Sequence, residues 1–401
     1  MEKGLISVDR WGQESQAYFL THLHADHTKG LSPQWCRGPL FCSPISAHLL
    51  PSKFPGFDPS LIRVLDVGST QCLSLHSHTA GSQVRVVVTT IDAHHCPGAV
   101  MYLFRGEFGC VLYTGDFRWE LRSKRAMMGK KTLLEALQGD KVDALYLDNT
   151  YCHPSFSFPP REVVAEQVVD IITRHPNHDV IIGIDTLGKE DLLLHISQAL
   201  GTKIWVWPER LQIMHLLGFD DIFTTNSNLT RVRAVPRYSF TFDTLESLNT
   251  IHPTIGIMPS GLPWDSKIFN NDDKLHQYAY PVLYSEHSCF SELQEFMKLV
   301  QPSIVTGIVS SSFCYINPRH YFSRLNNFNY EKAESLKGNR NKSLLRRTGS
   351  NRLKVRKEGK FKIAGLSFHR GRVAIMRKER RGAKIAETDA LCTSKLNVKM
   401  G

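Results

Sequence analysis

Residues 21–27 read THLHADH and directly follow a short apolar run. Side chains two residues apart on a strand point the same way, so His22 and His24 can bind one ion together. A tight turn after them would let Asp26 and His27 face a second ion. Imidazole nitrogen and carboxylate oxygen suit zinc. The pattern predicts a metal site at a strand end, and the alternative is a polar loop that is rich in histidine by chance.

Further candidate ligands follow other predicted strands. Three runs rich in β-branched or aromatic residues end in polar groups that include the His94-His95 pair, Asp116 and Asp148. His287 follows a later run of the same kind. The three early runs are 84–91, 110–113 and 144–147. Any one of these polar residues alone is more often structural, but the repeated arrangement predicts one site at the rim of a sheet sandwich.

Together these residues predict a two-metal hydrolytic site, although spacing alone does not decide between His94 and His95. The predicted ligands of one ion are His22, His24 and His95; those of the other are Asp26, His27 and, as an option, His287, with Asp116 bridging. Two ions about 4 Å apart can activate a shared water and neutralise charge on a phosphoryl oxygen. That chemistry suits cleavage of a phosphodiester, where positioning and electrostatics dominate.

The pattern changes at about residue 159 to alternating helices and strands. The pair Pro159-Pro160 is typical of the first turn of a helix. The following segments are predicted as strands at 180–184, 203–207 and 254–258 and as helices at 189–200 and 209–217. This alternation favours a parallel sheet with flanking helices.

Charge separates a body from a basic C-terminal tail. The 401 residues carry a net charge of +11. Residues 331–401 hold 21 Lys and Arg against 6 Asp and Glu, whereas the other 330 residues hold 28 against 32. Basic clusters at 352–357 and 377–381 can attract phosphate backbones or act as nuclear-localisation signals. The alternative is a solvated, partly disordered tail that aids solubility.

Composition also narrows the class of protein. At 42% hydrophobic residues the chain can bury a sizeable core. No apolar run reaches the roughly 18 residues that a membrane span needs, and the N-terminus lacks the layout of a signal peptide. The nine cysteines are scattered and include no Cys-x-x-Cys pair, which argues against a disulfide framework. We therefore expect an intracellular protein without a membrane partner.

Several motifs in combination resemble the metallo-β-lactamase/β-CASP family of DNA nucleases, whose members process DNA ends and interstrand crosslinks. They are THLHADH at 21–27, CSPISAHLL at 42–50, HCPG at 95–98, LYTGDFR at 112–118, YLDNTYC at 146–152 and YSEHS at 284–288. The likeness runs over roughly residues 1–320 and is closest to the 5′-exonuclease members.

The resemblance implies an α/β fold, namely an αββα metallo-β-lactamase sandwich interrupted by an inserted β-CASP α/β domain. The implied divisions are the first part of the sandwich at 1–154, the insert at 155–280, the return segment at 281–325 and the basic tail at 326–401. It also implies that His95, not His94, is the ligand, and that Asp9 supports the site from behind the ligands. The implied catalytic residues are Asp26, His27, Asp148 and His287.

The resemblance also bears on the substrate. RNA-cleaving relatives carry a histidine near the end of the last core strand, where this chain has Val309, so DNA is favoured. Thr186, Gly188 and Lys189 match a segment that grips a terminal 5′-phosphate in exonuclease members. A lysine at a helix start suits that task. The carboxylate of Asp185, which directly precedes this segment, would instead repel a phosphate.

These features predict a metal-dependent 5′-to-3′ DNA exonuclease of the nucleus, acting in repair of interstrand crosslinks and double-strand breaks and in telomere maintenance. The expected cofactor is Zn²⁺ at one or both sites, with Mg²⁺ or Mn²⁺ as options at the second. Expected partners are DNA 5′ ends, single- or double-stranded, with the tail binding nucleic acid or repair and telomere proteins. The alternatives are a structure-selective DNA endonuclease and a non-catalytic DNA-binding scaffold.

Overall fold

A computed structural model describes residues 4–12, 14–76, 81–120, 123–261, 278–310, 317–322, 379–380 and 383–385. Its strands are β1 (Gly4–Val8), β2 (Ser15–Phe19), β3 (Leu40–Cys42), β4 (Ile62–Val64), β5 (Thr70–His76), β6 (Gln83–Asp92), β7 (Val100–Gly106), β8 (Gly109–Tyr113), β9 (Ala144–Leu147), β10 (Asp179–Ile184), β11 (Ile204–Trp205), β12 (Phe223–Thr224), β13 (Val232–Pro236), β14 (Thr254–Pro259), β15 (Ala279–Val282), β16 (Ile304–Gly307), β17 (Val309–Ser310), β18 (Glu379–Arg380) and β19 (Ala383–Ile385). Its α-helices are α1 (Pro44–Lys53), α2 (Lys124–Leu137), α3 (Arg161–Thr173), α4 (Glu190–Leu200), α5 (Pro208–Leu216), α6 (Phe242–Asn249), α7 (Phe290–Val300) and α8 (Pro318–Phe322).

Two mixed sheets form a sandwich. One has the order β19-β1-β2-β3-β4, and the other has the order β16-β9-β8-β7-β6-β5. Side chains alternate between the two faces of each strand. Accordingly Tyr102 and Phe104 of β7 join the core between the sheets, whereas Met101 and Leu103 join a second core that includes α2 and α7. This layering agrees with the αββα sandwich that the family resemblance implies.

The inserted domain is a six-stranded sheet with the order β12-β11-β13-β10-β14-β15, and every pairing in it is parallel. Strand β10 is buried along nearly its whole length, as expected for a central strand covered by helices on both faces. Its core joins residues of α3 and α4 to the sheet. The predicted parallel sheet is therefore confirmed.

Several local predictions differ from the structure. Helices α1 and α2 were not predicted, although the start of α1 carries clear signals: Pro44 opens it and Ser43 Oγ accepts a hydrogen bond from Ser46 N. The strand predicted at 203–207 is limited to β11, because Pro208 begins α5 directly afterwards. The insert sheet continues through β15 to Val282, past the boundary predicted at 280.

Most of the tail predicted at 326–401 lies outside the described residues. Its described parts are two short strands: β19 pairs antiparallel with β1, and β18 pairs antiparallel with β17. The cysteines in the described ranges are free thiols. Within those same ranges no helix is both long and apolar enough to cross a membrane.

Candidate metal centre

Three histidine side chains converge on one point between the strand ends. His24 Nδ1 lies 3.1 Å from His22 Nε2 and 3.1 Å from His95 Nε2. His22 and His95 are buried, and His24 is half-buried. The turn after β2 supplies the first two residues and the turn after β6 supplies the third. Imidazole nitrogens at this separation suit a shared cation.

The outward-facing nitrogens of two of these rings bind backbone carbonyls. His24 Nε2 lies 2.9 Å from the Leu187 oxygen, and His95 Nδ1 lies 2.8 Å from the Glu286 oxygen. Because a carbonyl only accepts, each outward nitrogen carries the proton and each inward nitrogen presents a lone pair. This is how protein groups commonly orient histidine ligands of a metal.

Asp9 organises the other side of the centre. Its carboxylate accepts hydrogen bonds from Thr21 N at 3.0 Å, Thr21 Oγ1 at 2.7 Å and His27 Nδ1 at 2.7 Å. Since the Thr21 hydroxyl donates to Asp9, it accepts from His22 Nδ1, 3.0 Å away. His22 and His27 therefore both present Nε2 inward. Thr21 was not predicted as a site residue, although it opens the THLHADH motif.

Asp116 lies between the two sides and directs one carboxylate oxygen to each. Oδ1 is 3.3 Å from His27 Nε2. Oδ2 is 3.9 Å from His22 Nε2, 3.8 Å from His95 Nε2 and 3.9 Å from His287 Nε2. His27 Nε2 is buried and has no hydrogen-bond partner among the described residues. A carboxylate facing lone pairs on two sides fits two adjacent cations.

Asp148 supports His287 rather than facing the centre itself. Its Oδ2 accepts from His287 Nδ1 at 2.7 Å, and its Oδ1 accepts from Thr150 N at 3.0 Å and Thr150 Oγ1 at 2.6 Å. His287 thus presents Nε2 to Asp116 Oδ2, the oxygen that faces His22 and His95. The sequence grouped His287 instead with the second ion.

Asp26 lies at the rim of the turn and is half-buried. Burial lowers the pKa of Lys53, and the nearby Asp26 carboxylate partly offsets that effect. The Lys53 ammonium donates to the Leu23 carbonyl at 2.5 Å, which holds it over the turn. In the described part of the chain, the groups of potential ligand atoms within 4.8 Å of one another do not include Asp26.

Electrostatics of the centre also suit cations. Burial lowers the pKa of His22 well below its usual value and lowers the pKa of His95 to about 3, so both rings are neutral and ready to coordinate. Burial opposes protonation of His27 as well, but the carboxylates of Asp116 and Asp9 raise its pKa to about 10. The Asp9–His27–Asp116 side therefore holds positive charge at neutral pH, as a proton or as a metal ion.

The segment matched to a 5′-phosphate grip lies beside the centre, at the end of β10. Lys189 is buried, and its ammonium lies 3.0 Å from Asp185 Oδ2 and 3.4 Å from Glu286 Oε2. Its backbone N–H donates to Glu286 Oε1 at 2.6 Å. Gly188 has φ +111°, and a Cβ there would lie 2.7 Å from Glu286 Oε2. Thr186 is exposed at the same edge.

Two carboxylates therefore already surround the Lys189 charge. Glu286 was not singled out from the sequence, although it lies within the YSEHS motif. The Glu286 side chain contacts Lys189, in the segment matched to a 5′-phosphate grip, and the Glu286 carbonyl contacts His95. Nothing in the local pattern indicates these roles, because both partners are distant in the chain.

Comparison with known proteins identifies relatives of this arrangement. A family profile described as DNA repair metallo-beta-lactamase matches residues 219–312. The chain is 42% identical over 322 residues to the 5' exonuclease Apollo of Gallus gallus, covering 79% of this chain and 65% of that protein. It is 38% identical to the Rattus norvegicus 5' exonuclease Apollo, covering 77% of this chain and 54% of that protein.

A plant protein is also similar. The DNA cross-link repair protein SNM1 of Arabidopsis thaliana is 33% identical over 327 residues, which cover 76% of this chain and 64% of that protein. The chain thus spans between about half and two thirds of the length of these relatives.

Proposed function

This chain belongs to the DNA-repair metallo-β-lactamase family, and from that premise we propose that it is a metal-dependent 5′-to-3′ DNA exonuclease. The observation that carries the proposal is the convergence of three histidine nitrogens: His22 Nε2 and His95 Nε2 each lie 3.1 Å from His24 Nδ1. Relatives that bear the name 5' exonuclease align over most of this chain. A hydrolase of this kind would cut the phosphodiester bond to leave a 3′-hydroxyl and a 5′-phosphate.

We propose Zn²⁺ as the resident metal. His22, His24 and His95 would hold one ion with Asp116 Oδ2, since imidazole nitrogens are typical zinc ligands. His27 and Asp116 Oδ1 would hold a second, with Asp26 at the rim, and this more oxygen-rich side also suits Mg²⁺ or Mn²⁺. Bound ions would polarise the scissile phosphate and make a nearby water more acidic.

The protein's own residues supply orientation and access. Asp148 accepts a hydrogen bond from His287 Nδ1, so the ring directs its Nε2 to the centre. The side chain of His287 is 16% exposed, more than the 2% of Asp116, so it lies on the accessible side of the centre. A phosphate approaching from solvent would therefore meet His287 before Asp116.

We propose that the 5′ end is gripped beside the centre by Gly188 and Lys189, with Thr186 at the rim. This segment belongs to the insert, yet the Leu187 carbonyl contacts His24, so a bound end would lie next to the metals. One observation favours the alternative of a structure-selective endonuclease: Asp185 and Glu286 already balance the charge of Lys189. Because that charge is balanced, a terminal phosphate would add little to DNA binding.

DNA is proposed over RNA because Val309 stands where RNA-cleaving relatives have histidine. The proposed setting is the nucleus, in interstrand-crosslink and double-strand-break repair and in telomere maintenance. The proposed role of the basic tail is to bind nucleic acid or repair and telomere proteins, since its charge of 21 Lys and Arg against 6 Asp and Glu in 331–401 complements phosphates.

A time course on 3′-labelled DNA tests this function, with metal content measured on the same sample. Linear strands bearing a 5′-phosphate should shorten progressively from the 5′ end, and circular single strands should stay intact. His24→Ala should abolish cutting while the folded circular-dichroism spectrum is retained. His48→Ala, an exposed histidine on α1, is the matched control and should cut normally.

Other outcomes separate the alternatives. Cleavage of the circle would replace the exonuclease with an endonuclease. Equal rates on 5′-phosphate and 5′-hydroxyl ends would remove the proposed grip but leave the nuclease. Absence of cutting by protein that carries stoichiometric metal would favour the non-catalytic scaffold.

A further inference from the structure

The inserted domain is joined to the sandwich by two chain crossings that meet at one place. The outgoing crossing lies between β9 and α3, and the returning crossing lies between β15 and α7. Both contact the short segment after Asp116. Ser288, in the returning crossing, donates to the Phe117 carbonyl from its N–H at 2.9 Å and from its hydroxyl at 3.0 Å. The Ser288 hydroxyl also accepts from Trp119 N at 2.9 Å.

Arg118 lies in this segment and reaches into both crossings. Only 1% of the residue is exposed. Its Nη1 donates to the Ser285 carbonyl at 2.8 Å, and its Nη2 donates to the Pro159 carbonyl at 3.3 Å. Its Nε lies 2.9 Å from Glu292 Oε2, in the first turn of α7. One planar guanidinium therefore joins the sandwich to the outgoing crossing, the returning crossing and the helix after it.

Arg161 makes the reciprocal contact from the insert. It is the first residue of α3 and is 8% exposed. Its backbone N–H and Nε donate to the two oxygens of Glu120 at 2.7 and 2.9 Å. Its Nη1 donates to the His94 carbonyl at 3.2 Å, and its Nη2 contacts His94 Nε2. Each domain thus sends one buried arginine into the other.

Each arginine contacts a residue that lies one or two positions before a candidate metal ligand. His94 precedes His95 and has the left-handed φ of +53°, a conformation that needs outside support in a non-glycine residue. Ser285 accepts the His287 N–H on its hydroxyl at 3.1 Å, and Arg118 holds its carbonyl. Arg118 N also donates to the Ala93 carbonyl at 3.0 Å, at the base of the His95 turn.

We propose that Arg118 and Arg161 are positioning residues that hold the His95 and His287 turns in register, so that docking of the insert completes the metal centre. Among the described contacts, Arg118 reaches the His287 turn through the Ser285 carbonyl, and Arg161 reaches the His95 turn through the carbonyl and ring of His94. The guanidinium shape matters as well as the charge, because each fork binds groups on two or more chain segments. Lysine keeps the charge and loses that geometry.

Metal binding by the full-length protein tests this proposal. Arg118→Lys and Arg161→Lys should bind Zn²⁺ at least tenfold more weakly than wild type and change the visible absorption of the Co²⁺-loaded protein. Excess metal should restore kcat toward wild type. Arg231→Lys is the matched control, because Arg231 also donates to several carbonyls, those of Ile172, His175 and His178, at the far end of the insert.

Wild-type metal affinity and an unchanged Co²⁺ spectrum in both variants would overturn the proposal, as would an equal loss in Arg231→Lys. Should a lysine variant fail to fold, Glu120→Gln offers a second test. It weakens the contact between Glu120 and Arg161 with no change in side-chain shape, and it should also lower metal affinity. Unchanged affinity in that variant would count against the Arg161 contact. The Zn²⁺ titration and the Co²⁺ spectrum use no DNA, so their outcome is independent of the proposed nuclease activity.

Discussion

Asp9→Asn should disable one side of the metal centre by reversing a histidine tautomer. Asp9 has a left-handed φ of +51°, which asparagine tolerates well, so the replacement adds little backbone strain. The amide oxygen can still accept from Thr21 N. The amide N–H₂, however, replaces the oxygen that accepts from His27 Nδ1 and Thr21 Oγ1. His27 Nδ1 must then accept, and its proton moves to Nε2, which faces Asp116 Oδ1 at 3.3 Å.

A protonated Nε2 cannot bind a metal ion. Loss of such a supporting group weakens metal binding about ten- to a hundredfold, or about 1.4–2.7 kcal/mol. The loss should be larger on the His27 side. The carbonyls that orient His24 and His95 are unchanged, whereas His22 is affected indirectly, through the Thr21 hydroxyl that Asp9 orients. Asp9→Ala is a poorer choice, since alanine at a left-handed φ costs about 1–2 kcal/mol by itself.

The assay is a Zn²⁺ titration that counts sites and affinities, followed by initial cutting rates at fixed metal concentration. Asp9→Asn should keep one tight site, lose affinity at the other and cut slowly. Asp58→Asn, an exposed cap on the surface, should match wild type. Two sites of wild-type affinity in Asp9→Asn would refute the tautomer argument.

Four further predictions concern the neighbouring loop and the metal. Gly188→Ala should lower the stability of the fold by about 1–3 kcal/mol, because its Cβ would lie 2.7 Å from Glu286 Oε2 at a φ of +111°; calorimetry should show no such loss for Gly12→Ala, which has open space. Asp185→Asn should raise the preference for a 5′-phosphate over a 5′-hydroxyl end by about fivefold, measured as a ratio of kcat/KM. Lys189 lowers the pKa of Asp185, so the ion pair stabilises the fold at neutral pH and the Tm difference between wild type and Asp185→Asn should shrink on acidification. Zn²⁺ at a hundred times its Kd should stabilise the chelator-treated protein by about 2.7 kcal/mol, and an unchanged Tm would contradict a preformed site.

Much of the fold followed from local pattern. Strands β6, β8 and β9 and the parallel sheet of the insert lie where the local pattern placed them. Runs rich in β-branched and aromatic residues mark β6 and β9, and the nearly fully buried strands β8 and β10 leave continuous apolar runs. Helix α2 was missed, since it has no side-chain cap and ends at the left-handed Gln138 rather than at a glycine or proline signal. The sequence predicts one strand over 304–309, whereas the structure divides it at Ile308 into β16 and β17.

The sequence by itself determined the ligand types, their spacing in residues 21–27 and their delivery at strand ends, because side-chain alternation and turn chemistry act over a few residues. Only the tertiary structure decided which nitrogen of each histidine faces inward. The group that orients His24 lies 163 residues away at Leu187, and the one that orients His95 lies 191 residues away at Glu286. Hydrogen bonds between such distant segments depend on how the insert docks on the sandwich, and no local pattern encodes that docking.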